Sequence, residues 1–217
     1  MFLGHGNEPR PDPTRGSGEA RTARPSRPGP ALAGAFLAVR RTRLRAGLRA
    51  FGLVRPERWG RLALTVLALS VGWTLVVLAL LMPLAEHLTG THQDVEAFAD
   101  LEGDVGLLLV LLAATWTLAA VGEELAFRGF LLTRAREALP DGAVGIALAV
   151  ALSSVLFGLA HTEQGAVGVL LTTCDAVFFC VLRYRYRTLW ASVLAHGFNN
   201  TIGLTAYFLF GPFTGLW

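Results

Sequence analysis

The sequence predicts an all-α fold: a polytopic helical membrane bundle of about five to six membrane segments, with a disordered basic N-terminal arm. Three observations lead there. Of 217 residues, 53% are hydrophobic and only 16% charged, against roughly 25% charged in soluble domains. The apolar residues fall in runs close to the ~20 residues that a bilayer span needs, and mean hydropathy is +0.50. The cations are segregated: all 19 basic residues are Arg, and thirteen of them precede Leu62.

Taken in order, residues 1–30 hold six of the ten prolines among many Gly and Arg. That is the composition of a disordered tail, and without an apolar core no cleavable signal is expected. Residues 31–61 include AVRRTRLRAGLRAFGLVRPERWGR, where Leu44, Leu48 and Phe51 recur at helical spacing among arginines. This reads as a basic amphipathic interfacial segment, with a solvated basic linker as the plainer alternative. Residues 62–217 form the helical membrane domain. Its first span is expected at 62–82, followed by an acidic loop with six carboxylates and no Arg over 83–104. A second span begins at Val105, and LLTRAREALPDG turns the chain at 140–142. Further spans are expected over 143–161, 166–182 (ending at RYRYR) and 189–210.

Arginine placement sets the orientation. The N-terminal arm, Arg134–Arg136 and the 183–187 cluster belong in the cytoplasm, and the acidic 83–104 loop outside. These assignments alternate across five spans without conflict. Arg without Lys suits a GC-rich genome, so a bacterial cytoplasmic membrane is expected. The basic arm fits an anionic lipid leaflet better than nucleic acid. Cys174 and Cys180 lie in an apolar run and read as buried structural thiols. No G-x-S-x-G, H-E-x-x-H, Walker A or G-x-G-x-x-G opening a βα unit is present.

Ionisable groups within spans are costly, about 2.5–3.5 kcal/mol each for Arg, Lys and Asp on insertion scales, and mark function by default. Here they gather in EELAFR (Glu123, Glu124, Arg128), FGLAH (Phe157, His161) and HGFNN (His196, Asn199, Asn200). Glu124 and Arg128 are spaced i, i+4 and can pair along one helix face. His196 and Asn200 share that spacing, as do Phe157 and His161. Read alone, each motif could merely satisfy itself. With Asp141 as the hairpin turn, however, Glu123 and His161 fall at nearly the same height. For both to meet His196, the second helix must be long or kinked, with Gly122 the candidate kink. Glu163 is expected in a solvated loop, and Asp175 as a structural or accessory partner.

A proton relay or small transporter can use such groups. Hydrolysis explains them better: a carboxylate as general base, an imidazole to hold water, and a second His with an amide to meet an oxyanion.

EELAFR, FGLAH and HGFNN match in order and spacing the E-E-x-x-x-R, F-x-x-x-H and H-x-x-x-N/D motifs of the CPBP family. The chain thus resembles the intramembrane proteases related to the CAAX prenyl endopeptidase Rce1, which include bacterial Abi-type proteins. The resemblance covers about residues 105–205, and FGLVRPERW looks like the family's lead-in. It implies an intramembrane endopeptidase acting on a membrane-associated peptide or protein, lipidated substrates included, in contact with the lipid bilayer and without nucleic acid. By position, Glu123 and His161 would activate water, His196 and Asn200 would stabilise the oxyanion, and Glu124, Arg128 and Phe157 would order the site. The family is commonly labelled a metalloprotease, and Glu123, His161 and His196 would then be three zinc ligands. A glutamate-driven mechanism without an obligatory metal is favoured here, because the short-spaced helical zinc signature is absent. A non-catalytic binding or immunity protein on the same fold is the alternative.

Overall fold

The computed structural model describes residues 47–212. The expected tail over 1–30 and most of the 31–61 segment lie outside these residues. Among the described residues there are no strands, and five long helices account for most of the chain. They are α1 (Trp59–Thr89), α2 (Val105–Ala138), α3 (Ala143–Leu159), α4 (Gly165–Tyr186) and α5 (Leu189–Phe210).

Residues 51–58 are irregular but tied down. The Leu189 N–H donates to the Gly52 carbonyl at 2.7 Å, and Thr188 Oγ1 donates to the Val54 carbonyl at 2.6 Å. These bonds strap the chain across the start of α5, where Thr188 also caps the helix by accepting from the Trp190 N–H. Gly52 has φ +80°, and a Cβ there would run into the Arg183 guanidinium, so only glycine suits the position.

α1 is longer than the sequence suggested. It continues past Met82 to Thr89 and stops at Gly90, whose left-handed φ of 68° forms the C-cap. Pro83 has no N–H to donate to the Ala79 carbonyl. The helix widens just before it, over Val77–Leu81, and the Met82 N–H reaches back five residues to the Val77 carbonyl. A short 3-10 turn, Glu96–Leu101, then leads to Asp104, which caps α2 by accepting from the Leu107 N–H at 2.9 Å.

α2 runs 34 residues without a break. It is long, as the site required, and it is wound as π-helix over Thr115–Glu123, which includes Gly122, and again over Leu125–Leu131. Such widened turns are rare and gather at functional sites. α4 carries Arg183 and Arg185 inside its last turn, where cations suit the helix C-terminus.

Among the described residues, three helices are long and apolar enough to cross a membrane: α1, α2, and α4 with its preceding turn. α3, at 17 residues, spans about 26 Å, short of a ~30 Å hydrocarbon core. α5 has the length but carries His196, Asn199, Asn200 and Thr201 among its apolar residues. The bundle is inverted relative to a soluble one. Large apolar side chains such as Leu64, Leu75, Leu88, Val110 and Leu118 point outward. Interhelical contacts use small or polar residues, including Ala120, Ala149, Ala191, Ala195, Ser153 and Ser192, as expected where lipid is the solvent. This is a membrane protein.

α5 is the central helix, packed against α1, α2 and α4. Leu62 and Val66 of α1 meet Phe179 and Leu182 of α4 and Ala191 and Ala195 of α5. Leu132 and Ala135 of α2 meet Ala149 of α3 and Cys180 of α4. Cys180 is buried as expected, whereas Cys174 is partly exposed because it faces off the packed side of α4. The tip of the α3–α4 hairpin, at His161, lies beside the middle of α2, at Glu123. α1 and α2 do not pack extensively on each other, which leaves a space between them above that tip.

Candidate active site

Each polar motif is delivered to the tip of the α3–α4 hairpin by a different element. Glu123 and Glu124 come from the π-wound middle of α2, His161 from the turn that ends α3, and His196 from the third turn of α5. Glu123 Oε2 lies 3.9 Å from His161 Nε2 and 4.0 Å from His196 Nε2. That oxygen is buried and has no hydrogen-bond partner among the described residues. The predicted juxtaposition of Glu123 and His161 is therefore present in the structure, and His196 completes a triangle.

The two imidazoles are oriented from behind. His161 Nδ1 donates to the Phe157 carbonyl at 2.8 Å. A carbonyl only accepts, so Nδ1 carries the proton and the Nε2 lone pair of the neutral ring faces Glu123. His196 Nδ1 donates to Glu124 Oε1 at 3.1 Å, and the same oxygen accepts from Arg128 Nη1 at 2.9 Å. Glu124 and Arg128 are fully buried, so neither meets the reacting space. They form a chain behind His196 that turns its Nε2 toward Glu123. The adjacent glutamates thus face different surroundings: the Glu123 side chain is 35% exposed, and that of Glu124 is 0% exposed.

Aromatic rings hold the rest. Phe179 stacks on the His196 ring at 5.1 Å, with an interplanar angle of 13°. Phe157 sits edge-on to His196 at 5.9 Å and tilted against His161 at 4.7 Å. The Arg128 guanidinium lies 4.2 Å from the Phe157 centroid, a cation–π contact in a dry site.

The triangle lies at the base of a cavity of about 520 Å³, in the range of ligand sites. Asn199 and Asn200 line it beside His196, and Asp175 lines it from α4. Above them the wall turns apolar, with Trp73, Val77 and Leu78 of α1 opposite Leu111 of α2 and Leu204 of α5. The connection after α1 closes down on the hairpin tip: Gln93 Nε2 donates to Gln164 Oε1 at 2.9 Å, and the Asp94 N–H to the Gln164 carbonyl at 3.0 Å.

Several of these residues were not picked out from the sequence. Phe179 carries no polar signal, although it lies one turn from Asp175 on α4. Trp73 looked like any aromatic in a span. Its Nε1 donates to Asp175 Oδ1 at 2.5 Å in the wall of the cavity.

The trio offers the donors zinc takes: two imidazole Nε2 atoms whose other nitrogens are engaged, and one carboxylate oxygen. A tetrahedral zinc would hold such donors about 3.3 Å apart. Here the carboxylate oxygen stands 3.9 and 4.0 Å from the two nitrogens. Among the described residues no group of three or more His, Cys, Asp and Glu side chains is gathered as a metal site. As arranged, the carboxylate oxygen stands farther from both nitrogens than a bound zinc would hold it.

No curated protein and no solved structure matches the chain. A family model does. Residues 105–202 match the model described as type II CAAX prenyl endopeptidase Rce1-like, from the start of α2 to beyond Asn200, and that stretch is similar to this protease family.

Proposed function

We propose that the protein is an intramembrane endopeptidase that hydrolyses a peptide bond of a membrane-associated peptide or protein. The observation that carries this is the triangle of Glu123 Oε2 and two oriented Nε2 atoms in a cavity whose remaining wall is largely apolar beyond Asp175, Asn199 and Asn200. Separations of 3.9 and 4.0 Å are too long for direct hydrogen bonds. They suit one water lying about 2.8 Å from each atom.

In this reading the Nε2 lone pair of His161 accepts one hydrogen of the water and Glu123 takes the other proton as oxygen attacks the carbonyl carbon. The carbonyl oxygen gains the negative charge. His196, doubly protonated, donates through Nε2 to that oxyanion, and the Asn200 amide donates from the next turn of α5. Glu124 supports the His196 charge from behind, as a buried carboxylate supports the imidazolium in hydrolytic triads. Collapse breaks the C–N bond, and the proton held on Glu123 passes to the leaving nitrogen. The apolar upper wall would take a hydrophobic substrate segment, and the space between α1 and α2 would admit it from the bilayer. No step requires a metal. In this reading the arginine-bearing α2–α3 turn faces the cytoplasmic side of a bacterial membrane, which the arginine distribution supports.

The test is cleavage of membrane-anchored peptides by the full chain in proteoliposomes, read by mass spectrometry. Glu123→Gln and His161→Ala are each expected to lower turnover by about 10²–10⁴-fold, with the helical fold retained. Folded variants that cleave at the wild-type rate would refute the protease reading and favour a binding or immunity role. Activity that survives chelation, in protein without stoichiometric zinc by elemental analysis, is the expected result for the metal-free mechanism. Loss of activity on chelation, with recovery on adding zinc, would overturn it.

A further inference from the structure

A second pocket, of about 450 Å³, lies at the arginine-rich end of the bundle, between the end of α2, the α2–α3 turn and the end of α4. Arg128, Arg136 and Arg183 line it, with the hydroxyl-bearing Thr133 and Tyr184. Two acidic side chains also line it, and both are already neutralised: Glu137 by Arg134 at 2.6 Å, and Asp141 by Arg136 at 3.2 Å. Arg136 is further spent on the Leu139 and Pro140 carbonyls.

The other two guanidinium groups are only partly spent, Arg128 Nη1 on Glu124 Oε1 at 2.9 Å. Arg128 is 0% exposed, and its Nε and Nη2 have no hydrogen-bond partner among the described residues. Arg183 Nε is also buried without one. Phe157 and Phe179 occupy the faces of the Arg128 guanidinium, and of the N–H groups in its plane those of Nε and Nη2 remain unmatched. Buried donors on a cation are costly to leave unsatisfied. An edge of guanidinium N–H groups beside hydroxyls is the arrangement that binds phosphate oxygens in pairs.

We propose that this pocket binds a phosphate group, carried by an anionic phospholipid headgroup or as free phosphate. Its position favours the lipid: the arginine-rich end should face the anionic cytoplasmic leaflet. Arg128 also holds Glu124, and through it His196, so the bound phosphate lies one residue away from the chain that orients the catalytic imidazole. The binding claim itself goes beyond the protease reading and does not depend on it.

The full chain is placed in nanodiscs of phosphatidylcholine, with or without phosphatidylglycerol, and its thermal midpoint is measured. Phosphatidylglycerol is expected to raise the wild-type midpoint by about 5 °C, because ligand that binds only the folded state stabilises it. Arg183→Gln is expected to lose most of that rise, and Thr133→Val part of it. Arg185→Gln, an exposed arginine outside the pocket, is expected to keep it. Inorganic phosphate added to phosphatidylcholine discs separates the sources: an equal rise identifies free phosphate, and no rise identifies the lipid. The proposal is overturned if neither addition shifts the wild type, or if Arg183→Gln and Arg185→Gln lose the rise equally. The latter would mark diffuse attraction to the arginine-rich end.

Discussion

Glu123 and Glu124 are neighbours in sequence with opposite surroundings. The first presents a buried, unmatched oxygen to two imidazoles. The second is enclosed with Arg128 and His196. Spacing made this division legible, because the i, i+4 relation of Glu124 and Arg128 left Glu123 as the free carboxylate. Phe179 and Trp73 were not legible, since nothing separates a ring that supports a histidine from one that packs against lipid. Glu124→Gln is expected to destabilise the protein by about 3–5 kcal/mol, because it strands a buried guanidinium. Chemical unfolding in detergent measures this. Pairing Glu124→Gln with Arg128→Met should recover part of the loss while activity stays low, since His196 is then held by an amide instead of a carboxylate. A stable, fully active Glu124→Gln protein would show that the buried pair plays no part in orienting His196.

At the scale of elements, the departure that matters is the winding of α2. Sequence reasoning counts 3.6 residues per turn, and that count required a long or kinked second helix. The chain meets the requirement with π-helical turns over Thr115–Glu123 and Leu125–Leu131. Periodicity cannot announce this, because the same apolar residues suit either winding in lipid. The α3–α4 hairpin is the other critical element, since it alone brings His161 to Glu123. Its helices meet at Gly158, where a Cβ would strike Thr173 Oγ1 and lie 2.7 Å from the Val169 carbonyl. A carbonyl in a helix cannot yield as a side chain can. Gly158→Ala is therefore expected to cost about 1–3 kcal/mol by overpacking and, by moving His161, to reduce turnover more than substrate affinity. Thermal unfolding alongside kcat and KM checks both. An unchanged midpoint would mean that the hairpin opens without penalty.

At the scale of the molecule, the five-helix order, the polarity of the two ends and the meeting of three motifs could all be read from composition and spacing. The extra length of α1 and the cap formed by residues 93–94 over the hairpin tip could not. They depend on where Gly90 stops a helix and on bonds between residues more than 70 positions apart. The arginine-rich end is predicted to face the cytoplasm. Cysteines at position 100 and at position 185, introduced in turn into a background without Cys174 and Cys180, report this. Asp100→Cys should react with an impermeant maleimide in intact cells, and Arg185→Cys only after permeabilisation. The reverse pattern would invert the topology.

The most direct measurement of the central claim compares protein N-termini in membranes of cells carrying the wild type, Glu123→Gln or His161→Ala at equal abundance. Water activation between Glu123 and the two histidines predicts at least one new N-terminus within or beside a membrane segment of another protein. It should be present with the wild type, absent with both variants, and restored when the wild type is returned. Identical sets of N-termini in all three membranes, with the variants folded and inserted, would contradict it.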